Sequence, residues 1–242
     1  MNLEKLNDLV FELKDHTAYI KINRPPNNFF DAELIGEIAD VLEEMDKNDE
    51  CRSIILYSEG KHFCAGADFT RSSMKEESDP YEKLYQQAVR LFRTKKPIIG
   101  VIQGAAVGGG LGVSLACDFR VASETTLVAY PEIDLGMNLN WFGLPLLLRL
   151  IGPSKTKKMV ISGDIENSDV LFKWGFIDEL CKEEDLEKKT VIFAKKYASK
   201  PAIPSQMIKR SVNALTYQSD HSIMHMDYDQ YLLSREFHKE IN

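Results

Sequence analysis

The sequence predicts an α/β fold that gives way to a helical C-terminal third. Three observations carry this expectation. Strand-like apolar runs alternate with helical stripes as far as Glu132, in the order strand, helix, strand, helix, strand, glycine turn, helix. The central run, Pro97 to Ile102, is mostly aliphatic and leads through Gly104 to Gly108, Gly109 and Gly110, as a strand buried on both faces does when it leaves a parallel sheet. Beyond Glu132 the apolar residues fall at helical spacing between Gly and Pro breaks.

At 242 residues, 44% hydrophobic and 28% charged, the chain has the composition of a globular protein with one sizeable core. A net charge of −7 disfavours nucleic acid or an acidic membrane surface as the main partner. Cys51, Cys64, Cys117 and Cys181 are widely spaced without a CxxC pair and read as reduced residues, so the expected setting is cytoplasmic. The N-terminus carries early acidic residues and no signal-peptide pattern. No apolar run approaches the roughly 20 residues of a membrane-spanning helix.

In chain order, Leu9–Leu13 and Thr17–Asn23 read as a hairpin joined at Lys14-Asp15-His16, and Arg24 to Asn28 as a loop. Leu34, Ile38, Val41, Leu42 and Met45 form a helical stripe that Asp31 can cap. Ser53–Tyr57 is a second buried strand, Thr70–Pro80 a polar loop, and Tyr81–Arg93 a helix. Leu144–Ile151 is apolar and stopped by Gly152-Pro153, with Ser154 available to cap the next helix. Further helical segments are expected at 168–174, 184–199, 202–215 and 221–241.

Two turns carry the chemistry. Gly108-Gly109-Gly110-Leu111-Gly112 places Leu115 where a dinucleotide fingerprint needs its third glycine, and no P-loop lysine follows. Close packing accounts for such glycines too. The second turn, Cys64-Ala65-Gly66-Ala67-Asp68, has the same small residues, and two such strand exits can aim two N–H groups at one oxygen. Glu132, set among Val128, Ala129, Ile133 and Leu135, reads as a buried carboxylate poised for proton transfer. Asp118 reads as a cap or ion-pair partner and His62 as a turn residue. His221 and His225 lack a third ligand, so no metal is expected.

Taken in order, Phe63-Cys64-Ala65-Gly66-Ala67-Asp68, Gly104 to Gly110, Cys117-Asp118 and Pro131 to Gly136 resemble the signatures of the crotonase superfamily, the enoyl-CoA hydratase/isomerase family. The likeness runs from about Ala18 to about Leu180. It implies a spiral of repeated ββα units over residues 1–190 and a helical trimerisation region over 191–242, giving a homotrimer or a dimer of trimers. It implies an acyl-CoA thioester as ligand, with coenzyme A entering as part of the substrate and no separate cofactor. Ala67 and Gly109 match the oxyanion-hole N–H groups, and Glu132 matches an acid/base. Arg24, Pro26, Asn28, Ala65, Asp68 and Phe69 match segments that hold the coenzyme. Gly108, Gly112, Pro131, Asn140 and Trp141 match the surroundings of the acyl group.

The departures narrow the chemistry. Hydratases of the family use two glutamates to hold and activate water, and the first falls here at Gly112, which has no side chain to do so. Trp141 stands where small residues are usual. Asn242 falls inside what resembles the last helix, so a basic tail that reaches toward the coenzyme is expected to be missing. One carboxylate suffices for a 1,3-proton shuttle, so isomerisation of an enoyl-CoA, or weak hydration, is the leading expectation. Decarboxylation within the same family, or acyl-CoA binding with little catalysis, is the alternative.

Overall fold

The computed structural model describes residues 6–68, 80–138, 143–217, 229–230, 232–234 and 236–237. The chain begins with a hairpin, β1 (Leu9–Lys14) and β2 (Thr17–Ile22), paired antiparallel. Its two linking residues, Asp15 and His16, both have positive φ (48° and 62°), which suits the tight turn of a two-residue hairpin. Helix α1 (Ala32–Lys47) starts where Asp31 accepts a hydrogen bond from the Leu34 N–H at 2.9 Å. Its apolar stripe, from Leu34 to Met45, is buried. Each fully buried Leu or Ile of that stripe contributes on the order of 2 kcal/mol.

Strand β3 (Ser53–Ser58) lies parallel to β2, and β4 (Ile98–Ile102) parallel to β3, with all five β4 residues buried. Between them α2 (Pro80–Leu91) packs on α1. From β4 the chain turns at Gly104 into β5 (Ala105–Val107) and then α3 (Gly109–Leu115). Gly104 has φ 53°, and a Cβ there would lie 2.2 Å from the Lys61 carbonyl oxygen, so only glycine fits the corner. The same step repeats with β6 (Phe119–Ser123), β7 (Leu127–Ala129), a 3-10 turn at Pro131–Leu135 and α4 (Gly143–Ile151). Each repeat thus adds one strand to each of two sheets before its helix, which is the ββα spiral expected.

Helix α5 (Pro153–Ser162), β8 (Glu166–Asn167), α6 (Ser168–Trp174) and β9 (Glu179–Cys181) follow, then α7 (Leu186–Ala198) and α8 (Ala202–Thr216). The main sheet has the order β1-β2-β3-β4-β6-β9 and is parallel beyond the hairpin; the smaller one runs β5-β7-β8. Asp118 accepts from the Ile98 N–H at 2.7 Å and from Lys209 of α8 at 2.6 Å, which makes it a structural tie.

Two expectations need correction. The C-terminal third contains strands β8 and β9, and β6 and β7 precede it; with two to five residues each, they are too short for a visible period-2 pattern. Helix α5 is capped by Gly152 (φ 79°) with Pro153 as its first residue, so Ser154 is inside the helix; proline suits that place because the first N–H has no intrahelical partner. Residue 190 lies within α7, which packs across β2, β3, β4 and β6 and covers one face of the main sheet. The polar segment before Pro80 and most of 221–241 lie outside the described residues; 229–230, 232–234 and 236–237 are helical.

Candidate active site

Strands β5 and β7 run parallel with Val107 opposite Ala129, so whatever follows each strand emerges side by side. A hydrogen bond from the Gly108 N–H to the Ala129 carbonyl, 3.0 Å, fixes the two exits. After β5, Gly108 takes φ 58° and becomes the N-cap of α3, with no side chain to bond the helix's first N–H groups. Gly109 is the first residue of that helix, and its N–H has no acceptor within it. After β7 come Tyr130, buried, then Pro131 and Glu132 at the start of the 3-10 turn.

Glu132 is directed back across the gap. A Cβ on Gly108 would sit 2.8 Å from Glu132 Oε1, so the glycine is where the carboxylate needs space. Glu132 Oε2 is enclosed and has no hydrogen-bond partner among the described residues. Burial without a compensating cation pushes its carboxyl up to about 7.

The second turn packs directly against the first. The Cys64 N–H donates to the Ala105 carbonyl and the Val107 N–H to the Cys64 carbonyl, both at 3.0 Å. A Cβ on Gly110 would lie 2.1 Å from the Cys64 oxygen, so this contact requires glycine in α3. Beyond Gly66 (φ 118°), the bonds to Phe30 use the Gly66 carbonyl and the Asp68 N–H, bypassing the Ala67 N–H between them. Ala67 and Gly109 therefore stand on abutting turns with N–H groups outside the local ladders. Gly112 is buried within α3, its N–H given to the Gly108 carbonyl at 3.1 Å.

The loop at 24–28 is stitched to the same region, but its polar side chains face inward. Arg24 lies between Asp8 at 2.5 Å and Asp31 at 2.9 Å. Asn28, wholly buried, accepts from the Arg24 N–H and donates to the Glu59 and His62 carbonyls. These two side chains, expected at a ligand, hold the loop together. Pro26 is exposed, and Ala65 is tied to the loop by its N–H on the Asn27 carbonyl, 2.9 Å. His62, as expected, is a turn residue: its Nδ1 accepts from the Ala105 N–H at 3.0 Å.

Beside Glu132 opens a cavity of about 310 Å³ whose apolar lining includes Tyr130, Ile133, Met137, Val160 and Ile161. Ser234, from the C-terminal segment, completes it and accepts from the Asn138 N–H at 3.1 Å, while Asn138 donates to Gln230 at 2.8 Å. No sequence pattern signals this contact, because its partners lie over ninety positions apart. A larger cavity of about 610 Å³, under α8, lies at the far end of α3 and includes none of the expected site residues. Phe69, Asn140 and Trp141 lie outside the described residues. Among the described residues no group of three or more His, Cys, Asp or Glu could hold a metal ion.

Known proteins share this architecture and sequence. The chain is 31% identical over 200 residues to a probable enoyl-CoA hydratase of Bacillus subtilis, covering 81% of this chain and 78% of that one. It is 28% identical over 211 residues to a crotonyl-CoA hydratase of Syntrophomonas wolfei, covering 85% and 81%. The crystal structure of a probable enoyl-CoA hydratase from Mycobacterium thermoresistibile superposes with a TM-score of 0.86 over 97% of this chain and 99% of that one, at 22% identity, which speaks for the fold. The sequence profile described as "Enoyl-CoA hydratase/isomerase" matches residues 12–241, from the first strand through both turns and Glu132. Fold, turn chemistry and sequence agree: the chain belongs to the enoyl-CoA hydratase/isomerase family.

Proposed function

We propose that this acyl-CoA enzyme forms an enolate held by the N–H groups of Ala67 and Gly109, and moves a proton with Glu132, so that its main reaction is the isomerisation of an enoyl-CoA. The observation that carries this reading is the enclosed Glu132 carboxyl against Gly108, its Oε2 without a hydrogen-bond partner among the described residues, together with a glycine at 112. Glu132 removes a proton from C2 of a 3-enoyl thioester, and the electron pair moves onto the thioester oxygen. The two N–H groups stabilise that oxyanion; each such donor is worth roughly 10²–10³ in rate. The enolate then collapses toward a 2,3-double bond while Glu132 returns the proton to C4. A carboxyl near 7 serves both steps, since at neutral pH it neither holds nor gives up its proton strongly.

Gly112 offers no side chain to place water, so hydration is the slower reaction in this reading. A second reading, decarboxylation of an acyl-CoA with a β-carboxylate, uses the same hole and needs Glu132 only as a proton donor. The raised carboxyl favours it to that extent, because it keeps its proton to a higher pH than an ordinary glutamate does. Coenzyme A enters as part of the substrate, passing the exposed Pro26 and the backbone near Ala65 and Asp68. We also propose self-assembly to a trimer, supported by Ile203, Met207, Ile208, Val212 and Leu215 of α8, each more than half exposed. A set of acyl-CoA thioesters assayed for isomerisation, hydration and decarboxylation tests the function. Isomerisation of a 3-enoyl-CoA is expected to dominate; rapid hydration of crotonyl-CoA with little isomerisation would overturn it.

A further inference from the structure

Helix α3 is poorly equipped to hold its own direction. It has seven residues, three of them glycine, and its N-cap Gly108 has no side-chain bond to offer. Two turns of helix with that composition do not persist unaided. The carbonyls at and just beyond its C-terminal end lie in the core, where they need donors.

Arg120, at the start of β6, supplies them. The residue is 1% exposed. Its guanidinium donates to the Ser114 carbonyl (3.3 Å), the Cys117 carbonyl (2.9 Å) and the Asp118 carbonyl (3.3 Å), all at that end of α3. Nε donates to the Phe176 carbonyl at 2.5 Å, and the guanidinium carbon lies 5.2 Å from the centre of the Phe176 ring. Asp178 sits 3.5 Å from the guanidinium and accepts from the Arg120 N–H at 2.8 Å. A fully buried cation with its donors so distributed joins the end of α3 to the segment 176–178 and to the main sheet. Burial lowers the pKa of the guanidinium, against a smaller opposing pull from Asp178 and the Cys117 and Asp118 side chains.

We propose that Arg120 is a positioning residue for the reaction: by clamping the C-terminal end of α3 to β6 and Phe176, it fixes the direction of the Gly109 N–H at the other end. The proposal rests on the oxyanion-hole reading above. At about 1.5 Å per residue the clamp lies some 10 Å from the hole, so it touches neither substrate nor reacting atoms. Its effect is on the alignment of a donor with a charge that develops in the transition state, and therefore on kcat more than on KM.

The test uses the whole protein with a saturated short-chain acyl-CoA carrying an isotope-labelled carbonyl. The infrared carbonyl band of the bound thioester reports the strength of the hole, and a lost clamp weakens it whether or not the protein is also less stable. Relative to the wild type, Arg120→Lys is expected to lose part of the band's downshift and about tenfold in kcat, with KM changed less than about threefold. Arg120→Met is expected to lose more of both. Asp178→Asn keeps an acceptor oxygen at a partly exposed partner, and is expected to fold and to show a smaller loss in the same direction. If Asp178→Asn, and whichever Arg120 variants fold, keep the wild-type band and kcat, the proposal is overturned even if they melt earlier. If the wild type itself leaves the band at its solution position, the oxyanion-hole reading falls first and this proposal with it.

Discussion

Strands β5 and β7 are three-residue parallel neighbours that end on the same space with opposite chemistry. The β5 exit is built by leaving side chains out. Gly109 keeps an N–H outside the helix ladder, Gly108 leaves room for Glu132, and Gly110 admits the Cys64 carbonyl where a methyl group would collide. The β7 exit is built by putting one side chain in, an enclosed carboxyl whose Oε2 has no hydrogen-bond partner among the described residues. In the proposed reaction the oxyanion's donors come from backbone N–H groups left outside the local ladders, and the acid/base from a polar group denied its usual solvation. The two are interdependent, because Gly108 lacks a Cβ at the place that Glu132 Oε1 occupies.

The largest predicted effect breaks the β7 side. Glu132→Gln is expected to lower turnover by about 10³-fold or more, while acyl-CoA binding stays within a few-fold. Direct binding titration beside steady-state rates checks this. Breaking the β5 side should cost somewhat less. In Gly108→Ala the new methyl group meets Glu132 Oε1 at 2.8 Å and the residue must keep φ 58°, so activity should drop about 10²-fold and stability by about 1–3 kcal/mol.

The comparison sharpens with pH. The folded Glu132 carboxyl titrates near 7, above its ordinary 4.5, so the native state holds this proton more tightly than the unfolded chain does. Its contribution to stability is therefore full below about 4.5 and is lost as pH rises through about 7, a change of up to about 3 kcal/mol. Denaturant titrations across that window should show the loss in the wild type and a smaller one in Glu132→Gln. Over the same range kcat/KM should rise with pH and level above about 7, since the carboxylate form starts the reaction. The smallest effect is a gain: Gly112→Glu should raise hydration of crotonyl-CoA by about tenfold, at some cost in stability from a new buried carboxylate.

Much of the scaffold was legible where the local signal is strong. The β4 run, the α1 stripe with its Asp31 cap, and both small-residue turns stand in the structure where the sequence places them. What escaped was set by distance or brevity. Strands β6 to β9 are too short to show a period, and pairing across the sheets, not propensity, makes them strands. The internal partners of Arg24 and Asn28, namely Asp8, Asp31, Glu59 and His62, are brought near only by folding and leave no local pattern. Arg120 gave no signal, because an arginine near a strand end is ordinarily exposed, and its acceptors come from two segments, 114–118 and 176–178, some sixty positions apart. Ser234 reaches the Glu132 cavity from a segment far along the chain.

The most direct test of the central claim is proton exchange at Cα of a saturated acyl-CoA in deuterated water. Such a thioester cannot isomerise or hydrate, so exchange reports only the enolate, which requires the hole and Glu132 to act on one carbon. The account predicts deuterium at Cα with the wild type and none above background with Glu132→Gln. Tight binding of the thioester with no incorporation by the wild type would contradict it, and would leave a protein that holds acyl-CoA without acting on it.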